Sequence, residues 1–122
     1  MVQLMMFTNE KPIFQQMADR LSDEILAGTY QADGRIPSVR EYAVMLEVNT
    51  NTAVKAYEQL ARDNIIYNKR GMGYFVTPGS REQILQERRQ EFMGQMLPEL
   101  FRQMKLLGLE LKDIEKAWQM SA

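Results

Sequence analysis

The chain has 122 residues, 15 Lys and Arg against 16 Asp and Glu, and neither cysteine nor histidine. That length holds one small core and a helical appendage but no separate catalytic domain beside them. Without cysteine there are no disulfides or thiolate ligands, and without histidine the commonest general base and metal ligand are missing. No enzyme activity, metal site or cofactor is therefore expected.

The apolar opening, Met1 to Phe7, lacks a basic stretch and is too short for a signal peptide or a membrane span, which predicts a cytoplasmic protein. Phe14, Met17, Leu21 and Ile25 recur at steps of three and four and predict an amphipathic helix over residues 12 to 27. Pro12 suits its first turn and Gly28 its left-handed stop. Thr29 to Ile36, containing Asp33-Gly34, reads as a loop.

Ser38 followed by Glu41 forms a capping box, in which each side chain can satisfy a free backbone N–H of the other. A second helix is predicted from there to about Leu46, burying Val39, Ala43 and Leu46. Glu47-Val48-Asn49 then turns the chain, and Asn49 can cap a third helix running from Thr50 to about Asp63. Its apolar stripe is Ala53, Ala56, Tyr57 and Leu60, with Asn51, Lys55, Glu58 and Arg62 opposite. Ile65-Ile66-Tyr67 and Tyr74-Phe75-Val76 flank two glycines and read as a β-hairpin, closed by Thr77-Pro78-Gly79.

From Ser80 onward the helical period returns. Phe92, Met96, Leu100 and Met104 form one stripe, with Met93, Leu97 and Phe101 beside it, and Pro98 predicts a kink or break near Leu97. Gly108 sets off a last helix, about Leu111 to Gln119, presenting Leu111, Ile114 and Trp118. The ten methionines, several at helical spacing after residue 90, fit a packed interface better than a soft-metal site.

A helix entering a DNA major groove needs small polar side chains at its N-terminal end, because bulkier ones block approach to base edges. Asn49, Thr50, Asn51 and Thr52 meet that need, and Lys55 lies one turn on, placed for a phosphate or a guanine. The same four residues would also serve as a helix cap and solvated face; the helix before them and the hairpin after them favour the groove. The net charge of -1 gives no global nucleic-acid footprint, so affinity must come from a local patch. Arg40 sits in the first turn of a helix, where a cation gains nothing from the helix dipole, and so invites a partner: DNA, or a surface ion pair with Glu41 or Glu47. Lys69-Arg70-Gly71 joins two cations to a residue that permits close backbone approach, which suits a minor groove or a phosphate run. Gly71-Met72-Gly73 lacks the strand, helix start and third glycine of a nucleotide loop.

Lys11 to Pro78 resembles the GntR family of bacterial transcription factors. The resemblance rests on Pro12-Ile13-Phe14-Gln15-Gln16-Met17, Ile36-Pro37-Ser38-Val39-Arg40-Glu41, Asn49-Thr50-Asn51-Thr52 with Lys55-Ala56-Tyr57, and Gly71-Met72-Gly73-Tyr74-Phe75-Val76. It implies a mainly α fold with a small β-hairpin: a winged helix-turn-helix DNA-binding domain over residues 1–78, then a short C-terminal helical dimerisation tail over 79–122. It also implies that Arg40, the run Asn49 to Thr52, and Arg70 and Gly71 contact operator DNA, the last two in a minor groove. Val54 departs from the family pattern, which often has a base-reading Arg there. The tail is too short for a roomy effector pocket and looks like the dimerisation appendage of the YtrA-like branch, whose members often control transporter operons.

These features together predict a sequence-specific regulator, expected to be a repressor, that binds a palindromic operator as a homodimer. Phe92, Met96, Leu97, Leu100, Phe101, Met104 and Trp118 would form the dimer contact, because two helices cannot bury them alone. The sequence names no small-molecule effector. The alternative is a winged-helix module that binds a protein, favoured only by the slightly acidic balance.

Overall fold

The computed structural model describes residues 7, 8 and 10–122; Met1 to Met6, most of the apolar opening, lie outside the described residues. The chain divides into two compact units, the first ending at Leu85 and the second running Gln86–Ala122.

Helix α1, Ile13–Leu26, starts after Pro12, which sits at the cap rather than inside the first turn. Met17, Leu21 and Ile25 are at most 1% exposed, as their spacing requires, while Phe14 is half-buried. Gly28 follows with φ +88°, the left-handed stop that costs a glycine no strain. Helix α2, Val39–Leu46, opens on the full capping box: the Glu41 N–H donates to Ser38 Oγ at 3.0 Å and the Ser38 N–H donates to Glu41 Oε1 at 2.8 Å. A cap of this kind contributes about 1 kcal/mol. The turn at Glu47 is left-handed, and helix α3, Thr50–Arg62, starts from the Asn49 cap.

Strands β1, Ile66–Lys69, and β2, Gly73–Val76, pair antiparallel with Ile66 opposite Val76 and Lys69 opposite Gly73. Alternation puts Ile66 and Val76 into the core and stacks Tyr67 on Phe75 on the other face, ring centroids 5.8 Å apart. The segment expected to be a loop before α2 departs from that expectation at its end. Asp33 and Ile36 donate to the carbonyls of Val76 and Tyr74, Val76 donates to Gly34, and Arg35 bridges Phe75. Burial of Ile36, 1% exposed, holds the segment there as a third rung of the wing.

Tyr42, absent from the expected core, is fully buried, because its hydroxyl donates to Glu24 Oε1 at 3.2 Å and so can leave water. Val39, expected inside, is only half-buried. Helix α4, Ser80–Glu91, begins within the first unit: Ser80 and Ile84 are 1% and 3% exposed, and Ile84 belongs to the same apolar cluster as Ile25 and Val76.

In the second unit a π-helical turn, Phe92–Met96, leads into α5, Leu97–Leu107, with Pro98 in its first turn. The expected kink near Leu97 takes this form because proline lacks an N–H and its ring crowds the carbonyl four residues earlier; the wider π turn relieves both. Gly108, φ +72°, ends α5, and α6 runs Leu111–Met120. Here burial fails. Phe92, Met96, Leu100, Phe101 and Trp118 stay exposed, Leu97 is half-buried, and Met104 is the one buried apolar residue of this unit among the described residues.

Candidate nucleic-acid interface

The reader is a winged helix-turn-helix: α2, a tight turn, α3 and the β1–β2 wing. Tyr57, at the middle of α3, ties these parts together. Its hydroxyl donates to the Pro37 carbonyl at 2.6 Å, its ring packs edge-on against Tyr74 of β2 at 5.2 Å, and Tyr42 of α2 lies 6.1 Å away. Burial pushes the Tyr57 hydroxyl above the ordinary tyrosine range, so it remains a donor. One side chain thus fixes the entry to α2, the recognition helix and the wing.

At the N-terminus of α3, Asn49, Thr50 and Asn51 are exposed and Thr52 is half-buried. The Asn51 N–H donates to Asn49 Oδ1 at 2.7 Å, which commits that oxygen to the cap and leaves the Asn49 amide nitrogen and the whole Asn51 amide facing outward for hydrogen bonding. Arg40, exposed in the first turn of α2, forms no ion pair among the described residues. The alternative partner Glu41 is occupied by Ser38, whose N–H and hydroxyl, helped by nearby Arg35, hold its carboxyl below the ordinary range.

Lys55 is exposed on α3, but its ammonium rests over the Phe14 ring of α1, 4.9 Å from the centroid. Lys69 likewise lies over Phe75 at 5.3 Å. Such contacts are worth about 0.5–1 kcal/mol at exposed sites and leave the charge accessible. Arg70 and Gly71 occupy the exposed turn of the wing, Gly71 with φ +76°.

Sequence reasoning missed Arg35. Its Nε donates to the Met72 carbonyl at 3.1 Å, and a Cβ at Gly73, φ +108°, would come within 3.2 Å of that nitrogen. The guanidinium therefore packs under the wing turn and fixes where Arg70 and Gly71 sit. Only the adjacent Asp33-Gly34 turn hinted at it. Met72, 57% exposed at the same turn, and Val54, 36% exposed on α3, add apolar surface beside the polar groups. Among the described residues no cluster of Asp or Glu is placed to hold a metal ion.

Comparisons with known proteins agree with this geometry. The model of a family described as bacterial regulatory proteins, gntR family, matches residues 14–76. The HTH-type transcriptional repressor YtrA of Bacillus subtilis (strain 168) is 29% identical over 105 residues, covering 86% of this chain and 80% of YtrA. A putative GntR-family transcriptional regulator from Bacteroides thetaiotaomicron has a similar structure, with TM-score 0.73 and 45% identity over 87% of this chain and 93% of that one. The DNA-binding domain of AraR, solved in complex with operator ORR3, is similar over 54% of this chain and 80% of its own, with TM-score 0.52 and 29% identity.

Proposed function

The chain belongs to the gntR family of bacterial regulatory proteins, and from that premise we propose that it acts in the cytoplasm as a homodimeric, YtrA-like repressor of a palindromic operator. The family and the relatives it matches are transcriptional regulators, not enzymes. The observation that carries the operator reading is the exposed, capped start of α3 beside an Arg40 with no ion-pair partner among the described residues. Asn51 is the base reader, since an amide can pair with adenine in two bonds, and Arg40 reads a base or grips a phosphate. Thr50, Thr52, Lys55 and Lys69 bind the backbone, while Arg70 and Gly71 enter the adjacent minor groove.

A palindrome needs two readers, and the tail supplies the reason to pair. Phe92, Met96, Phe101 and Trp118 are 49%, 62%, 44% and 78% exposed, large apolar side chains that burial against a partner would remove from water. A second copy is the simplest cover, because an isologous contact pairs the same patch with itself. That the similar YtrA is a repressor supports the sign of regulation, and the YtrA-like branch supports a transporter operon as the target. No helix among the described residues is long and apolar enough to cross a membrane.

Mobility shifts on its own promoter fragment and on a shuffled fragment, at rising salt, test the reading. Preference for the promoter with a steep salt dependence is expected. Equal and weak binding to both fragments would overturn it.

A further inference from the structure

We propose that Val54 reads the C5-methyl group of a thymine in the operator's major groove and so sets one position of the sequence preference; this rests on the operator reading of α3. Val54 stands in the second turn of that helix and is 36% exposed. Among the described residues it belongs neither to the buried core nor to the half-buried side chains packed against it.

Local physics gives no other reason for a valine there. A β-branched side chain loses rotamer freedom in a helix, so an exposed valine holds α3 less well than an alanine would, and core packing returns nothing for it. A position that breaks a local preference without a gain in packing points to a task outside the chain.

Its surroundings identify that task. Neighbours on a helix surface lie three or four residues apart, and the exposed ones around Val54 are Thr50, Asn51 and Glu58, all polar. Lys55, next in sequence, has its ammonium over the Phe14 ring of α1 at 4.9 Å. Val54 is thus the exposed apolar group on the face that carries Asn51. Of the base edges in the major groove only thymine presents an apolar group, its C5-methyl; against another base the valine would cover a hydrogen-bonding edge and offer it no partner. Cβ atoms at this helical spacing are about 5–6 Å apart and successive base pairs about 3.4 Å, so the thymine falls about one or two base pairs from the adenine read by Asn51.

Uracil interference with the full-length protein on its own promoter fragment tests this, because deoxyuridine differs from thymidine only in lacking that methyl. Its loss should weaken binding about fourfold for each half-site substituted, the equivalent of one buried methyl group. In each half-site one thymine should interfere in the parent and not in Val54→Ala, which closes a double-mutant cycle between side chain and methyl. Val54→Ala should fold as the parent does, since the valine has no place in the core. If no thymine's interference depends on Val54 while the promoter is still preferred over shuffled DNA, the proposal is overturned and the operator reading stands. No preference for the promoter would overturn both.

Discussion

In the winged unit Met17, Leu21, Tyr42, Tyr57 and Ile66 are each at most 1% exposed, whereas Phe92, Met93, Met96, Leu106, Leu107 and Trp118 of the tail range from 49% to 78%. Both regions are helical and amphipathic in sequence, so periodicity alone does not separate them. The difference lies in partners. In the first unit three helices and a wing close around one another, and the two fully buried tyrosine hydroxyls find acceptors within the chain, Tyr42 at Glu24 and Tyr57 at Pro37. The tail keeps its charges satisfied locally, with Glu99 hydrogen-bonded by Arg102 at 2.6 Å and held at about 2 by that contact, but leaves its apolar face without cover. The same pattern that makes a core in one place leaves an uncovered apolar face in another.

Removing the tail should have the largest effect. A chain ending at Leu85 should remain folded, sediment as a monomer and bind operator about 10²–10⁴-fold more weakly, because linked half-site contacts gain from effective concentration. Phe101→Glu should dissociate the dimer in the full-length protein by placing an unpaired charge in the contact. A truncated chain that stays dimeric would contradict the division of roles.

Next in size is a pair of core and surface truncations. Ile84→Ala should cost about 2–5 kcal/mol of unfolding free energy in urea, since Ile84 is packed in the first core. Trp118→Ala should leave unfolding of the first unit unchanged while weakening association. Similar effects from the two would erase the contrast.

Within the reader, Arg40→Ala should leave stability intact and cost about 1–3 kcal/mol of operator affinity if Arg40 contacts a base. Lys55→Ala should instead lower specific and nonspecific affinity alike and flatten the salt dependence. Unchanged operator affinity in Arg40→Ala at moderate salt would remove that residue from the site.

The smallest effect concerns pH. Glu41 is held below its ordinary pKa by hydrogen bonds from Ser38, so its contribution to the α2 cap is present above the ordinary glutamate range and is lost as pH falls through its lowered folded value. Carbon-13 titration should place the Glu41 midpoint below that of free glutamate, and Ser38→Ala should return it toward the ordinary value. A midpoint at the ordinary value in the parent protein would dissolve the box in solution.

Much of the fold is legible in the amino-acid sequence because the signals that specify it are local. The Ser38–Glu41 box, the Asn49 cap and the Met17–Leu21–Ile25 stripe each act within a turn or two of helix, and each appears where its chemistry places it. What escaped depends on distant partners. Tyr42 is buried because Glu24 accepts its hydroxyl, and Arg35 matters because it reaches the carbonyl of Met72. Ile84 reads as tail in the sequence, yet it belongs to the apolar cluster built from α1 and the wing. Pro98 announced an interruption, but the π turn that accommodates it has no sequence signature of its own. In the candidate interface, the small polar run and the wing cations stand out from composition and spacing, whereas the Arg35 contact to the Met72 carbonyl does not.

Hydroxyl-radical footprinting of the full-length protein on its own promoter reads DNA binding, symmetry and half-site spacing in one experiment. A homodimer joined through the tail should protect two half-sites related by a two-fold axis, spaced by one helical turn of about 10 bp or a multiple of it, and both should be lost together in Phe101→Glu. A single unpaired footprint, or a symmetric one that survives Phe101→Glu at the same protein concentration, would contradict it.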